Sequence, residues 1–133
     1  MIVVDSNVLV YLYLPTELTP QAEKLLRTDP EWVAPRLWRS EVRNVLGLYI
    51  RQKLITLEQA YRIQTSAETL LADREFEVPS YEMLQLVSHS TCSAYDCEFV
   101  ALAKRLRTKL VTADQKVLKT FPDTAVALAA AVA

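Results

Sequence analysis

Four acidic side chains stand inside otherwise apolar stretches. Asp5 closes "IVVD", Glu41 lies in "SEVRNVL", Asp96 in "AYDCEFVALAKRL" and Asp114 in "LVTADQKVL". An ionised carboxylate beside a buried element must be solvated, paired, hydrogen-bonded or bound to a metal, because bare burial is strongly unfavourable. If the four converge, each pair about 5 Å apart repels by about 3 kcal/mol at an effective dielectric of about 20. Such a group takes up protons or needs a counter-charge. No Lys or Arg is fixed among the four by sequence, although Arg39 and Arg43 are nearby. A hard divalent cation with oxygen ligands, Mg²⁺ or Mn²⁺, meets that need. Its bound water has a lowered pKa, and acidic clusters of this kind serve in-line attack on a phosphodiester.

The elements that must position these acids follow from hydrophobic patterning. "IVVD" is a short β-branched strand, continuous in its apolarity and therefore buried on both faces. A short helix from Asn7 is stopped at Pro15, and Thr19-Pro20 opens another to about Asp29, with Thr19 as its N-cap. "EWVAP" is a second strand. A helix from about Leu37 to Gln52 and one capped by Thr56, reaching about Asp73, pair as an antiparallel hairpin. "FEV", "KLVT" and "TAVAL" are further strands, with helices over Ser80–His89, Ser93–Arg107 and Gln115–Phe121 between and around them. Short apolar strands alternating with helices argue a parallel sheet covered on both faces, in one α/β domain spanning residues 1–133.

On this scheme Asp5 and Asp114 both fall at the carboxyl ends of strands, where open α/β sheets place their ligand crevice. Asp96 precedes Phe99 by three residues and Ala103 by seven, so it extends the apolar stripe of its helix. Glu41, four before Val45, joins the inward face of its own. Plainer readings stand beside this one. Asp5 and Asp114 serve as N-caps, Asp96 completes a capping box begun by Ser93, and Glu41 favours a helix dipole. Caps explain position along a helix, but not why carboxylates share the apolar-facing stripes.

Composition narrows the class. The chain of 133 residues carries 15 basic and 16 acidic side chains, a net charge of −1, so any nucleic-acid binding needs a local patch. Cys92 and Cys97, with His89 the one histidine, are too few and wrongly spaced for structural zinc; they read as reduced thiols of a cytoplasmic protein. No signal peptide is visible, and "AVALAAAVA" is too short to cross a bilayer, so the expectation is a soluble chain without a membrane partner.

In that order and spacing, "VVDSNVLVYL", "SEVRNVL", "AYDCEFVALAKRL" and "LVTADQKVL" resemble the four acidic motifs of PIN domains, VapC-like toxins of bacterial toxin–antitoxin pairs in particular. The resemblance covers essentially the whole chain. It implies a three-layer α/β/α sandwich around a parallel sheet with a projecting helical hairpin. It implies a Mg²⁺- or Mn²⁺-dependent endoribonuclease acting on transfer or ribosomal RNA, a protein antitoxin and a homodimer. The metal-binding catalytic acids of the family fall on Asp5, Glu41, Asp96 and Asp114. Asn7, Thr112 and Ser6 fall on the polar positions that orient the carboxylates. Cys97-Glu98 departs from the usual small apolar residue and its neighbour; Glu98, two residues from Asp96, is expected to point elsewhere.

Arg39 and Arg43, flanking Glu41, are the favoured RNA-phosphate contacts. Two rival functions remain. A haloacid-dehalogenase-like phosphatase needs a second Asp two residues after the first, where this chain has Asn7. A non-catalytic RNA- or protein-binding module on the same fold is opposed by retention of all four acids.

Overall fold

The first strand has the others built around it. In a computed structural model covering residues 1–133, β1 (Ile2–Val4) pairs in parallel with β2 (Trp32–Pro35) on one side, with Ile2 opposite Trp32 and Val3 opposite Val33. On its other side it pairs with β4 (Leu110–Thr112), with Val3 opposite Leu110 and Val4 opposite Val111. β3 (Glu75–Phe76) and β5 (Ala125–Ala127) complete a five-stranded parallel sheet in the order β3-β2-β1-β4-β5. The chain runs outward from β1 to β3, then returns to lay β4 against β1. The β1/β4 boundary is thus the topological switch point of the sheet, where the loops part and leave a crevice.

Helices cover both faces, giving three α/β/α layers. α6 (Ala94–Arg105) packs across β1, β2 and β4, with α5 (Ser80–Ser88) against its outer side. α1 (Ser6–Tyr13), α2 (Thr19–Thr28) and the hairpin of α3 (Leu37–Arg51) and α4 (Leu57–Leu70) belong to the crossovers leading from β1 to β3. Right-handed connection puts them on the face opposite α6. α7 (Gln115–Thr120) links β4 to β5, and a short terminal helix, α8 (Leu128–Ala131), packs on α2, β4 and β5. One contiguous core of 28 buried residues joins the layers, with Trp32, Trp38, Leu9, Leu102 and Leu110 among its largest fully enclosed side chains.

The expected elements stand with shifted ends. The third strand is Glu75–Phe76 where "FEV" was expected, because Ala34 and Arg36 of the β2 segment bond to the carbonyls of Arg74 and Phe76. The hydroxyl of Thr19 does not cap α2 as expected. It donates to the carbonyls of Tyr11 and Leu14 (2.6 and 3.0 Å) and so ties α2 back to the end of α1. The alanine-rich end supplies α8, which the composition did not suggest. No helix is long and apolar enough to cross a membrane.

Helix ends in this chain close without glycine, since Gly47 is the only one. α6 finishes in a Schellman turn: Thr108 N–H bonds Ala103 O at 2.9 Å and Arg107 N–H bonds Lys104 O at 3.2 Å. Arg107 therefore sits at φ 54°, in the left-handed region, exposed and with no side-chain hydrogen bond. Relief of that strain outweighs the extra freedom glycine has when unfolded. Arg107→Gly should raise stability by about 0.5–1 kcal/mol, read as an upward shift of the thermal melting midpoint; a downward shift would contradict the turn.

Candidate active site

The crevice at the switch point is a cleft of about 510 Å³, and all four acids line it. Each arrives from a different element. Asp5 follows β1 at the N-cap position of α1, Glu41 lies in the second turn of α3, Asp96 in the first turn of α6, and Asp114 follows β4 at the N-cap of α7. Ser6, Asn7, Leu37, Ser40, Asn44, Val45 and Tyr95 complete the wall. No Lys or Arg lines it.

Two hydroxyls set the carboxylates. Thr112, fully buried at the end of β4, donates to Asp5 Oδ2 at 2.8 Å while accepting from the Asp114 N–H at 3.0 Å. One side chain thereby fixes the acids that follow β1 and β4. Ser6 donates to Glu41 Oε1 at 2.7 Å, joining α1 to α3. Asn7 lines the cleft but bonds to none of the four carboxylates, which leaves its expected orienting role to Ser6 and Thr112.

The capping readings divide unequally. Asp114 is a true cap: its Oδ1 accepts from the N–H groups of Lys116 (2.9 Å) and Val117 (3.2 Å). Asp5 occupies an N-cap position yet makes no side-chain cap bond, so its carboxylate serves the cleft. Ser93 caps α6 by accepting from Asp96 N–H at 3.1 Å, but the reciprocal half of a capping box is not formed. The carboxylate of Asp96 caps no backbone N–H and faces the cleft, with Ser93 beside it.

Electrostatics records the crowding. Burial holds the carboxyl of Asp5 above its ordinary value, offset by the Thr112 hydrogen bond and reinforced by the charges of Asp96 and Asp114. Burial likewise raises Glu41, helped by the charges of Asp5, Asp96 and Glu98. Asp96 is raised by burial and then by Asp114, and the Ser93 hydroxyl and then Lys116 pull it back. Lys116, unforeseen in the sequence, is the one cation whose charge bears on Asp96; its Nζ donates to Thr91 O at 2.7 Å. Glu98 is not part of the cleft wall, as expected, although its charge is felt at Glu41.

Does this set suit a metal ion? Its donors are all hard oxygens, mutually repelling and without a resident cation, which suits Mg²⁺ or Mn²⁺. No three or more His, Cys, Asp or Glu side chains are drawn into a preformed cage. An open set of that kind fits a cation that keeps part of its water shell, as Mg²⁺ does.

The arginines are corrected. Two residues along a helix is about 200°, so Arg39 and Arg43 face away from Glu41 and the cleft. Arg39 grips Glu75 of β3 with two bonds, Nε to Oε2 at 2.6 Å and Nη2 to Oε1 at 2.7 Å, and reaches Glu68 at 3.2 Å. Buried Trp38 donates to the same Glu75 at 2.8 Å, and the Arg39 bonds hold that carboxyl below its ordinary value. Arg43 faces α4 too, 3.9 Å from Glu68. These side chains hold the hairpin on the sheet and so place Glu41.

A parallel sheet in this order, with four acids from four segments meeting at its switch point, defines an acid-centred α/β/α fold. The PIN domain family model matches residues 2–126, and the chain belongs to the PIN domain family. It is similar to ribonuclease VapC3 of Pyrobaculum aerophilum, 29% identical over 126 residues, covering 91% of this chain and 95% of that protein. Among solved structures it resembles PAE2754 from Pyrobaculum aerophilum at 20% identity and a TM-score of 0.76, over 96% of this chain and 90% of that one. It also resembles FitAcB from Neisseria gonorrhoeae at 19% identity and a TM-score of 0.72, over 94% and 96% of the two chains. A structure of FitAB bound to an IR36 DNA fragment matches at 16% identity with a TM-score of 0.73, over 96% and 95%. These structural likenesses concern the fold.

The raised acids make a thermodynamic prediction. With metal removed by EDTA, the folded protein retains protons on Asp5, Glu41 and Asp96 just above the ordinary carboxylate range, where the unfolded chain has lost them. Stability must therefore fall as pH rises through that window and level off above it. Asp5→Asn should flatten this slope and raise stability at neutral pH by about 1 kcal/mol, measured by denaturant unfolding. An unchanged slope would mean that the charge of Asp5 is compensated in some other way.

Proposed function

We propose that this chain is a metal-dependent endoribonuclease, the toxin of a type II toxin–antitoxin pair acting in the cytoplasm. The carrying observation is the convergence of Asp5, Glu41, Asp96 and Asp114 on one cleft that no basic side chain lines. Similarity to a VapC ribonuclease along nearly the full chain supports the choice of RNA. PIN membership sets the phosphatase alternative aside.

Asp5 and Asp96, with Asp114 and Glu41 completing the shell, are the residues that would hold Mg²⁺ or Mn²⁺. When bound, the ion supplies charge neutralisation at the scissile phosphate and a water of lowered pKa. The chain's own contribution is geometric. Thr112 keeps Asp5 and Asp114 in fixed relation, and Ser6 keeps Glu41 turned into the cleft. These bonds aim Asp5, Asp114 and Glu41 at the cleft before any ion enters, which reduces the reorganisation that binding would demand. The substrate is transfer or ribosomal RNA by the same resemblance. A phosphate contact by Arg39 is opposed by its bonds to Glu75 and Glu68, whereas Arg43, 56% exposed and only 3.9 Å from Glu68, is free to meet a phosphate outside the cleft wall.

The same cleft suits inhibition. A protein antitoxin presenting an arginine would pair with the carboxylates and compete with the ion. For homodimerisation the support is an exposed apolar group around the hairpin tip, where Leu48, Leu54, Leu57 and Tyr61 stand 46%, 63%, 70% and 68% exposed. Such a patch on a soluble surface marks an association site. Sedimentation equilibrium should give twice the chain mass, falling toward a single chain for Leu57→Glu; a monomeric wild type would reject the dimer.

The decisive experiment is RNA cleavage with Mn²⁺ or Mg²⁺, with and without EDTA, for wild type and Asp5→Asn. Metal-dependent cutting is expected, abolished by EDTA and reduced by at least about a hundredfold in the variant. Mn²⁺ should also raise the melting midpoint of the wild type and not of Asp5→Asn, since only the folded cleft binds it. RNA binding without metal-dependent cutting would instead favour the non-catalytic module.

A further inference from the structure

Beside its acids the cleft is lined by side chains that the metal chemistry does not use. Along α3 the residues facing it recur at helical spacing as Leu37, Ser40, Glu41, Asn44 and Val45, and only Glu41 is charged. Tyr95 joins them on the cleft wall from α6, immediately before Asp96. Its side chain is 62% exposed while lining the cleft, and its hydroxyl has no hydrogen-bond partner within the chain. The side chains of Ser40 and Asn44 are equally unengaged and exposed.

A volume of about 510 Å³ is far more than a cation and its waters fill, and lies in the range of small-molecule sites. The uncharged lining from α3 and α6 is an aromatic face, two aliphatic side chains and two uncommitted polar groups. That is poor chemistry for a phosphate and good chemistry for a nucleobase, which offers a π-face for stacking and donors and acceptors at its edge. We infer that the uncharged lining from α3 and α6 is a nucleobase subsite, with Tyr95 as its stacking platform and Asn44 and Ser40 reading the base edge. The inference rests on taking the cleft as an RNA site. Because Tyr95 neighbours Asp96, the base it stacks belongs to a nucleotide adjoining the scissile phosphate. A base can reach such a wall only when it is unpaired or extruded, so Tyr95 selects a single-stranded segment and contributes to the choice of bond.

The test separates stacking from cutting. The probe is a fluorescein-labelled, mixed-sequence single-stranded decaribonucleotide, with the matching duplex as control, and binding is followed by anisotropy with Ca²⁺. Tyr95→Ala should weaken single-strand binding by about tenfold, whereas Tyr95→Phe stays within about twofold because stacking does not need the hydroxyl. The duplex should bind more weakly than the single strand and respond little to either change. Tyr95 is exposed, so both variants should melt as wild type does. In a parallel arm with Mn²⁺, sequencing of the cut ends should show that Tyr95→Ala raises KM and flattens the nucleotide preference beside the cut, with Tyr95→Phe again like wild type. Unchanged binding in Tyr95→Ala, equal damage in Tyr95→Phe, or a wild type that does not bind the decamer would each overturn the subsite. If wild type cuts no RNA yet Tyr95→Ala still loses binding, the nuclease reading fails and the base subsite stands.

Discussion

Like charges held together in a half-buried crevice govern this molecule. Nothing in the chain neutralises Asp5, Glu41, Asp96 and Asp114 from within the cleft, and burial raises three of them further. A protein of marginal stability tolerates such a site only if the surrounding frame is stiff enough to resist separating the charges. The frame here is the strand order itself. β1 and β4 lie side by side with their chain ends diverging, so the residues that follow them cannot move apart without unpairing the centre of the sheet. Thr112 then couples both acids to one buried hydroxyl.

The other two acids depend on helices, and each helix is held by contacts remote from the cleft. Glu41 depends on the seat of α3, which is fixed by Trp38 inside the core and by the Arg39–Glu75–Trp38 cluster against β3. Asp96 depends on α6, whose central residues Phe99, Val100, Leu102 and Ala103 are almost wholly enclosed between sheet and neighbouring helices. Apolar packing thus supplies the rigidity, and a few polar bonds supply the aim. The division explains why a cleft full of oxygen donors can remain open: its walls are positioned from behind, not by contacts between the acids.

Much of this was legible in the sequence for definite reasons. Continuous β-branched runs favour buried parallel strands, and parallel strands ending in Asp5 and Asp114 bring those residues to one edge of the sheet. Asp96 and Glu41 share the apolar stripes of their helices, and both line the cleft. Arg39 and Arg43 are near Glu41 along the chain but not on the helix surface, because two-residue spacing turns both away from it. Thr19 was misread for a subtler reason. A threonine before proline looks like a cap, and its bonds to Tyr11 and Leu14 depend on how the preceding helix folds back. Lys116 left no signal, since an exposed lysine at the second position of a helix is ordinary until its bond to the Thr91 carbonyl is seen.

Caps and ligands turned out not to be exclusive alternatives, and this bears on how such a site can be built at all. Asp114 accepts two backbone N–H groups through Oδ1 alone, leaving its second oxygen free of the helix. Its partial use as a cap anchors the carboxylate and exposes it to the positive end of α7, which offsets some of the repulsion from its neighbours. At Asp96 the arrangement is reversed: Ser93 does the capping, so the acid one turn inside need not. Asp5 relies on neither device and is steadied by Thr112. The acids are thus steadied by different local interactions: Asp5 by Thr112 of the neighbouring strand, Glu41 by Ser6 of α1, Asp96 by Ser93 and Asp114 by the N–H groups of α7. A cluster assembled in that way needs no single charge to compensate it, and its collective negative field stays available for whatever cation enters from outside.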